Sequence, residues 1–244
     1  MAVKIIETSK FDLKNPILIE GFPGIGLVGT ISANYLVEKL KMEPLGYITS
    51  EKFPPFSAVH NYQPMHPARI YKSKKHNIVV ILSEFIVPLS TVHDLSTKIM
   101  EWSKQRKIKE IITLGGISIQ GEQDTVYGIA STPKLAKHVE KNGKVSLIRE
   151  GATTGISGIL LADCAAISFP ALSLLAESKP DYLDPRAASM VLEALKGITG
   201  IKFDTRELIK EEKAIQTKLK EVMDKAKNAS EHYKKVEELG PMYG

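Results

Sequence analysis

Strand-like and helix-like patterns of apolar and polar positions alternate along the first 200 residues. Ile17-Leu18-Ile19 is a short apolar run after Pro16, and it predicts a strand leading into a glycine-rich turn and a helix from about Leu27 to Lys41. Leu45 to Ser50 reads as a second strand. Asn77 to Ser83, with the run Ile78-Val79-Val80-Ile81-Leu82, is the clearest buried strand. Leu95, Ile99 and Trp102 recur at i, i+4 and i+7, the mark of a helix laying one face on a sheet. Glu110 to Leu114 predicts a strand that stops at Gly115-Gly116, and Thr125 to Ala130 and Val145 to Ile148 predict two more. Pro133 to Lys141 reads as a short helix. Asp184 and Pro185 suit the N-cap and first position of a helix reaching about Leu195. Gly151 to Ala176 carries Asp163 as its only charge, and its Gly, Ser and Thr content and Pro170 predict a buried helix–turn–helix rather than a membrane span. Phe53-Pro54-Pro55 through Pro67 reads as a long proline-bearing loop, a common functional surface. The alternation predicts an α/β sandwich around a mixed or mostly parallel sheet.

After Gly200 the pattern changes. Residues 204–239 contain nine basic and nine acidic side chains and no Gly or Pro. Apolar residues fall at Leu208, Ile215, Leu219, Val222, Ala226, Ala229, Tyr233 and Val236, and from Ile215 onward their spacing alternates between 4 and 3, a heptad seam. Such a helix would span about 54 Å at 1.5 Å per residue. Gly240-Pro241 ends it and leaves Met242-Tyr243-Gly244. The expected organisation is an α/β domain over 1–203, a charged helix over 204–239 and a tail over 240–244.

Composition narrows the classes. With 244 residues, 43% hydrophobic and 25% charged, the chain is ordinary globular material, large enough to bury a core without disulfide or metal. The lone Cys164 excludes an intrachain disulfide and a thiolate zinc site. The mixed, charged N-terminus has no apolar core of a signal peptide, so the expectation is a cytoplasmic protein. The net charge of +5 lies wholly outside the neutral C-terminal arm, where 24 basic residues face 19 acidic ones. An arm without net charge does not suit the tracking of a nucleic-acid backbone.

The most suggestive motif is Gly24, Gly26 and Gly29, a G-x-G-x-x-G between a predicted strand and helix, with Glu51 ending the next strand 22 residues on. This is the pattern of a dinucleotide site, in which glycines admit a pyrophosphate and an acid binds the ribose. A tight turn and close helix–sheet packing ask for the same glycines, and Pro23 is unusual for the nucleotide fingerprint. The packing role is therefore the expectation, and a dinucleotide-dependent enzyme the alternative. Glu84, His93 and Asp94 flank a strand but suit a solvated loop and a helix start, while Cys164 suits a core position. No catalytic residue, metal site or cofactor is expected.

Taken together, Gly21-Phe22-Pro23-Gly24-Ile25-Gly26-Leu27-Val28-Gly29, Phe53-Pro54-Pro55, Leu114-Gly115-Gly116-Ile117, Gly155-Ile156-Ser157-Gly158-Ile159-Leu160-Leu161, Leu175-Ala176-Glu177 and Asp184-Pro185-Arg186-Ala187-Ala188 resemble the archaeal homologues of proteasome-assembling chaperones. The resemblance covers nearly all of residues 13–197 and accommodates Pro23. It implies a three-layer α/β/α sandwich similar to nucleoside-phosphorylase folds, no catalytic activity, and a role in handling proteasome subunits. Met242-Tyr243-Gly244 resembles the hydrophobic–tyrosine–any-residue tail of proteasome activators. That likeness implies entry between neighbouring α-subunits of the core particle, with the terminal carboxylate meeting a lysine. One tripeptide binds weakly, so a homo-oligomer presenting several tails is expected, joined through the helix seam or the apolar α/β surface. A helix folded back on its own domain would hide the tail, and an adaptor whose helix pairs with a different protein is a further alternative.

Overall fold

The computed structural model describes residues 3–118, 124–179, 183–210, 216–217 and 219–229. Its elements run in the order β1 (Lys4–Glu7), β2 (Ile17–Gly21), α1 (Val28–Lys39), β3 (Glu43–Thr49), β4 (Ala58–His60), β5 (Gln63–Met65), β6 (Ala68–Ser73) and β7 (Ile78–Ser83). There follow α2 (Val92–Gln105), β8 (Glu110–Ile117), β9 (Val126–Ala130), α3 (Pro133–Asn142), β10 (Ser146–Leu147), α4 (Gly155–Ala166), β11 (Ala171–Glu177), α5 (Pro185–Thr199) and α6 (Arg206–Lys210). Helix is recorded again at 216–217 and 219–229.

Among the described residues, nine strands form one mixed sheet in the order β1-β3-β6-β7-β2-β8-β11-β9-β10. Its centre, β7-β2-β8-β11, is parallel, while β1, β3 and β6 add antiparallel on one side. Successive side chains of a strand point to opposite faces, so β2 sends Ile17 and Ile19 into one core and Leu18 into another. The first core lies under α1, α3 and α5, and the second under α2 and α4. The result is the three-layer α/β/α sandwich expected from the sequence. Strand β7 reads as an apolar run to Leu82, and β2 as one to Ile19, because both of their faces are covered.

The structure corrects three readings. The strand from Glu110 continues through Gly115-Gly116 to Ile117, because the glycines pair with Leu175 and Ala176 of β11. The apolar stretch 151–176 is a helix followed by the central strand β11, since a strand buried on both faces shows the same unbroken hydrophobicity as a buried helix. The loop 53–67 contains the β4–β5 hairpin, turned by Asn61 and Tyr62 at φ 49° and 65°. Strand β6 also escaped the sequence pattern, because Arg69 and Lys72 interrupt its hydrophobicity. Both are buried with partners: Lys72 Nζ donates to Lys10 O at 2.6 Å and to Asp12 Oδ1 at 2.9 Å.

Helix α5 starts as its sequence prescribes. Ala187 N donates to Asp184 Oδ1 at 2.9 Å, Pro185 occupies the first turn, and Gly200 ends the helix at φ 73°. Asp184→Ala is expected to lower stability by about 1 kcal/mol in urea denaturation, with an unchanged dependence on denaturant.

Candidate functional site

The glycine motif forms the passage from β2 into α1, at the carboxyl end of the parallel strands. Gly26 has φ +63°, and a Cβ there would overlap the Ser178 hydroxyl. A Cβ on Gly29 would overlap the Leu114 carbonyl, and one on Gly116 the Ile25 carbonyl. Of the three motif glycines, Gly24 is the one that faces open space. Two of the three motif glycines are thus committed to bringing α1 and its entry turn onto β8 and the chain after β11. Gly26 O also accepts Asp184 N at 3.0 Å, which ties the turn to the start of α5.

Glu51 is not part of this arrangement. It is exposed just after β3, and β3 is separated from β2 by β7 and β6, three strand steps or about 14 Å. The structure does not bring Gly24, Gly26 and Gly29 together with Glu51 as a ribose-binding acid would require.

Beneath the turn lies a carboxyl that sequence reading passed over. Glu20 is fully buried, with Oε1 accepting Phe22 N and Oε2 accepting Ser157 Oγ, each at 2.8 Å. It shares a face of the sheet with its register partner Thr113, whose hydroxyl donates to Ser173 Oγ of the next strand at 2.9 Å. Burial pushes the Glu20 carboxyl up from the usual 4.5 to about 7, against the pull of its two hydrogen bonds. The signal available in the sequence was a charge at the end of an otherwise apolar strand.

A second polar cluster joins the β4–β5 hairpin to the body. Arg69 grips Glu84 with two hydrogen bonds of 2.7 and 3.1 Å, and His60 Nε2 lies 2.9 and 3.1 Å from the same carboxylate oxygens. Burial alone would push the Glu84 carboxyl up, and the hydrogen bonds and charges of His60 and Arg69 more than offset it, leaving it below the usual range. The solvated role expected of Glu84 is therefore corrected to that of a buried ion-pair member. His93 and Asp94 are exposed at the start of α2. Cys164 is a buried core residue beside Met100, its thiol pushed up to about 12 by burial. Among the described residues no cluster of His, Cys, Asp and Glu is arranged to hold a metal ion.

The described residues of the C-terminal arm pack on the α/β domain. Tyr35 Oη donates to Asp204 O at 2.6 Å, and Leu208 is fully buried in the core under α1 and α5. Gln216 Nε2 donates to Leu183 O at 2.9 Å, next to the α5 cap. Leu219 then belongs to the first core and Ala226 to the second. Seven helical residues rise about 10 Å, so one stretch of helix contributes a side chain to each core. Val222 and Ala229 are half-buried while Glu221, Lys225 and Lys227 are exposed, so over 219–229 the heptad seam faces inward. Ile215, Tyr233, Val236 and the tail Met242, Tyr243 and Gly244 lie outside the described residues.

These features define an α/β/α sandwich whose glycine turn is packed against β8 and Ser178 and whose buried carboxyls are hydrogen-bonded within their own clusters. The chain belongs to the PAC2 family, whose family model matches residues 18–223. The Methanocaldococcus jannaschii protein MJ0106, itself uncharacterized, is 31% identical over 223 residues, covering 91% of this chain and 92% of that one. Pyrococcus furiosus PbaA, an archaeal homologue of proteasome-assembly chaperone, superposes with a TM-score of 0.84 at 31% identity, covering 93% of this chain and 99% of PbaA. Pyrococcus furiosus PbaB, an archaeal proteasome activator, superposes at 0.76 with 25% identity, covering 91% of this chain and 98% of PbaB. Relatives described as a chaperone homologue and an activator agree with the expectation of a chain that is not an enzyme. Among the described residues no helix is long and apolar enough to cross a membrane.

Because the folded-state value of Glu20 lies above its unfolded value, its contribution to stability is full below about pH 4.5 and lost as pH rises to about 7. Glu20→Gln removes that loss, which shows in denaturation midpoints as up to about 3 kcal/mol of added stability at pH 8 relative to wild type and little change at pH 4. Glu84→Gln has the opposite sign. It leaves the buried Arg69 charge uncompensated and is expected to cost about 3 kcal/mol or more in urea denaturation at pH 7.

Proposed function

We propose that this chain is a proteasome-binding protein, an ATP-independent assembly chaperone or activator of the 20S core particle. The observation that carries the reading is the likeness to PbaA at 31% identity and a TM-score of 0.84 over 93% of the chain. The likeness to the activator PbaB, at lower identity, supports the same class of partner. Handling of this kind needs surfaces that hold another protein and no reacting group. That suits a fold whose glycine turn is closed by packing.

In this reading Met242, Tyr243 and Gly244, with the terminal carboxylate, dock between neighbouring α-subunits. A tripeptide buries little surface, and several tails on one homo-oligomer raise avidity by ~10²–10⁴ over a single site. The full-length chain is expected to stimulate hydrolysis of small fluorogenic peptides by an archaeal core particle without ATP. Deletion of residues 242–244 is expected to abolish that stimulation while leaving the oligomer and its thermal stability unchanged. Stimulation that survives the deletion contradicts the tail contact.

A further inference from the structure

The parallel strands β7, β2, β8 and β11 share one direction, so the segments that precede them gather at one end of the sheet. Backbone contacts fix these segments side by side. Asn77 Nδ2 donates to Lys14 O at 2.9 Å, Lys109 N to Pro16 O at 3.0 Å and Ile111 N to Pro170 O at 3.0 Å. Helix α2 finishes at the same end, and its Met100 sulfur lies 3.3 Å from the Cys164 thiol in the last turn of α4. From β7 to β11 this end is three strand steps, or about 14 Å, across.

Between β7 and β11 its exposed charges are of one sign. Lys14, Lys75, Lys104, Lys107 and Lys109 all reach solvent, and none joins an ion pair among the described residues. The neighbouring acids are already held: Asp12 by Lys72 and Lys74, and Glu7 by Arg106 and the Trp102 ring N–H. Glu110 is half-buried, and burial pushes its carboxyl up against the pull of Lys109 and His138. The dipole at the C-terminus of α2 accounts for Lys104 and Lys107. Lys14, Lys75 and Lys109 precede strands, whose ends carry little field, so no such role explains them. Among the lysines stands Ile167, the residue that closes α4, 49% exposed and flanked by exposed Ala166 and Pro170. An apolar centre inside a charged rim is the layout of a surface that another protein covers.

We infer that this end of the sheet docks a partner protein through an acidic surface that also offers an apolar side chain to Ile167. Charge complementarity selects the acid. Two observations select protein over nucleic acid. Arg106 is held by Glu7 through Nε at 2.7 Å and Nη2 at 2.8 Å, so its guanidinium fork is not free to grip a phosphate. Among the described residues no large aromatic ring is exposed at this end to stack a base, and a phosphate backbone offers nothing to an exposed aliphatic chain. The inference goes beyond the proposed function and does not depend on it, because the tail lies outside this surface.

Fluorescence anisotropy of the full-length chain tests it, with three labelled probes of matched charge: a peptide of Glu-Glu-Leu repeats, an oligoglutamate and a DNA duplex. The wild type is expected to bind the repeat peptide most tightly and to lose that binding as salt rises from about 50 to about 300 mM. Lys107→Glu/Lys109→Glu and, separately, Lys14→Glu/Lys75→Glu are expected to weaken it about tenfold or more. Lys52→Glu/Lys179→Glu, which makes the same change of charge at the opposite end of the sheet, is expected to leave it within about twofold. Ile167→Ser is expected to erase the preference for the repeat peptide over oligoglutamate. Circular dichroism checks that each variant is folded, and all the substituted positions are exposed. Equal weakening by the Lys52/Lys179 pair overturns the placement, since it reports net charge alone. A duplex bound more tightly than the repeat peptide overturns the choice of protein. No binding at low salt, or a preference that survives Ile167→Ser, overturns the docking surface.

Discussion

The close approach of the α1 entry turn to strand β8 is the contact from which the remaining architecture extends. It exists because Gly29 and Gly116 present no Cβ where the Leu114 and Ile25 carbonyls lie. Once the turn is seated, Gly26 O accepts the backbone amide of Asp184, and the same residue caps α5 with its side chain. The neighbouring Leu183 carbonyl accepts from Gln216, just before the helix that places Leu219 in one core and Ala226 in the other. A glycine contact at the centre of the sheet is thereby coupled, through three hydrogen bonds, to the position of the C-terminal helix. An added methyl at Gly29 meets backbone, which cannot rotate away, so overpacking there is felt along this whole series.

That coupling explains why a nucleotide-like motif occurs in a chain whose relatives are described as a chaperone homologue and an activator. The strand–turn–helix of a dinucleotide site and the turn observed here ask the backbone for the same freedom. They differ in what fills the space above the glycines. Here Ser178 and the β8 backbone occupy it, and the acid that would bind a ribose sits three strand steps away, beyond β7 and β6. Spacing along the sequence carries the backbone requirement and is silent about the occupant.

The same limit runs through the other sequence readings. The helices α2 and α5 were legible because each shows one apolar face, and α5 because Asp184, Pro185 and Gly200 mark its ends. The strand β11 was mistaken for helix because burial on two faces erases the two-residue alternation. Strand β6 and the Arg69–Glu84–His60 cluster were missed because a charge in a sequence suggests solvent unless its partner is visible. The partners of Arg69 and Lys72 lie 15 and 60 residues away. The heptad seam was legible as a periodic apolar face, but periodicity does not say whether a helix meets another chain or its own domain. Over 219–229 it meets its own domain.

In the proposed reading, function resides in a surface that meets another protein, with the terminal tripeptide as the contact to the core particle. The most direct measurement is electron microscopy of a 20S core particle mixed with the full-length chain. The account predicts added density on the outer face of the α-ring, centred on the pockets between neighbouring α-subunits. Bare particles at micromolar chain, or density confined to another part of the particle, would contradict it.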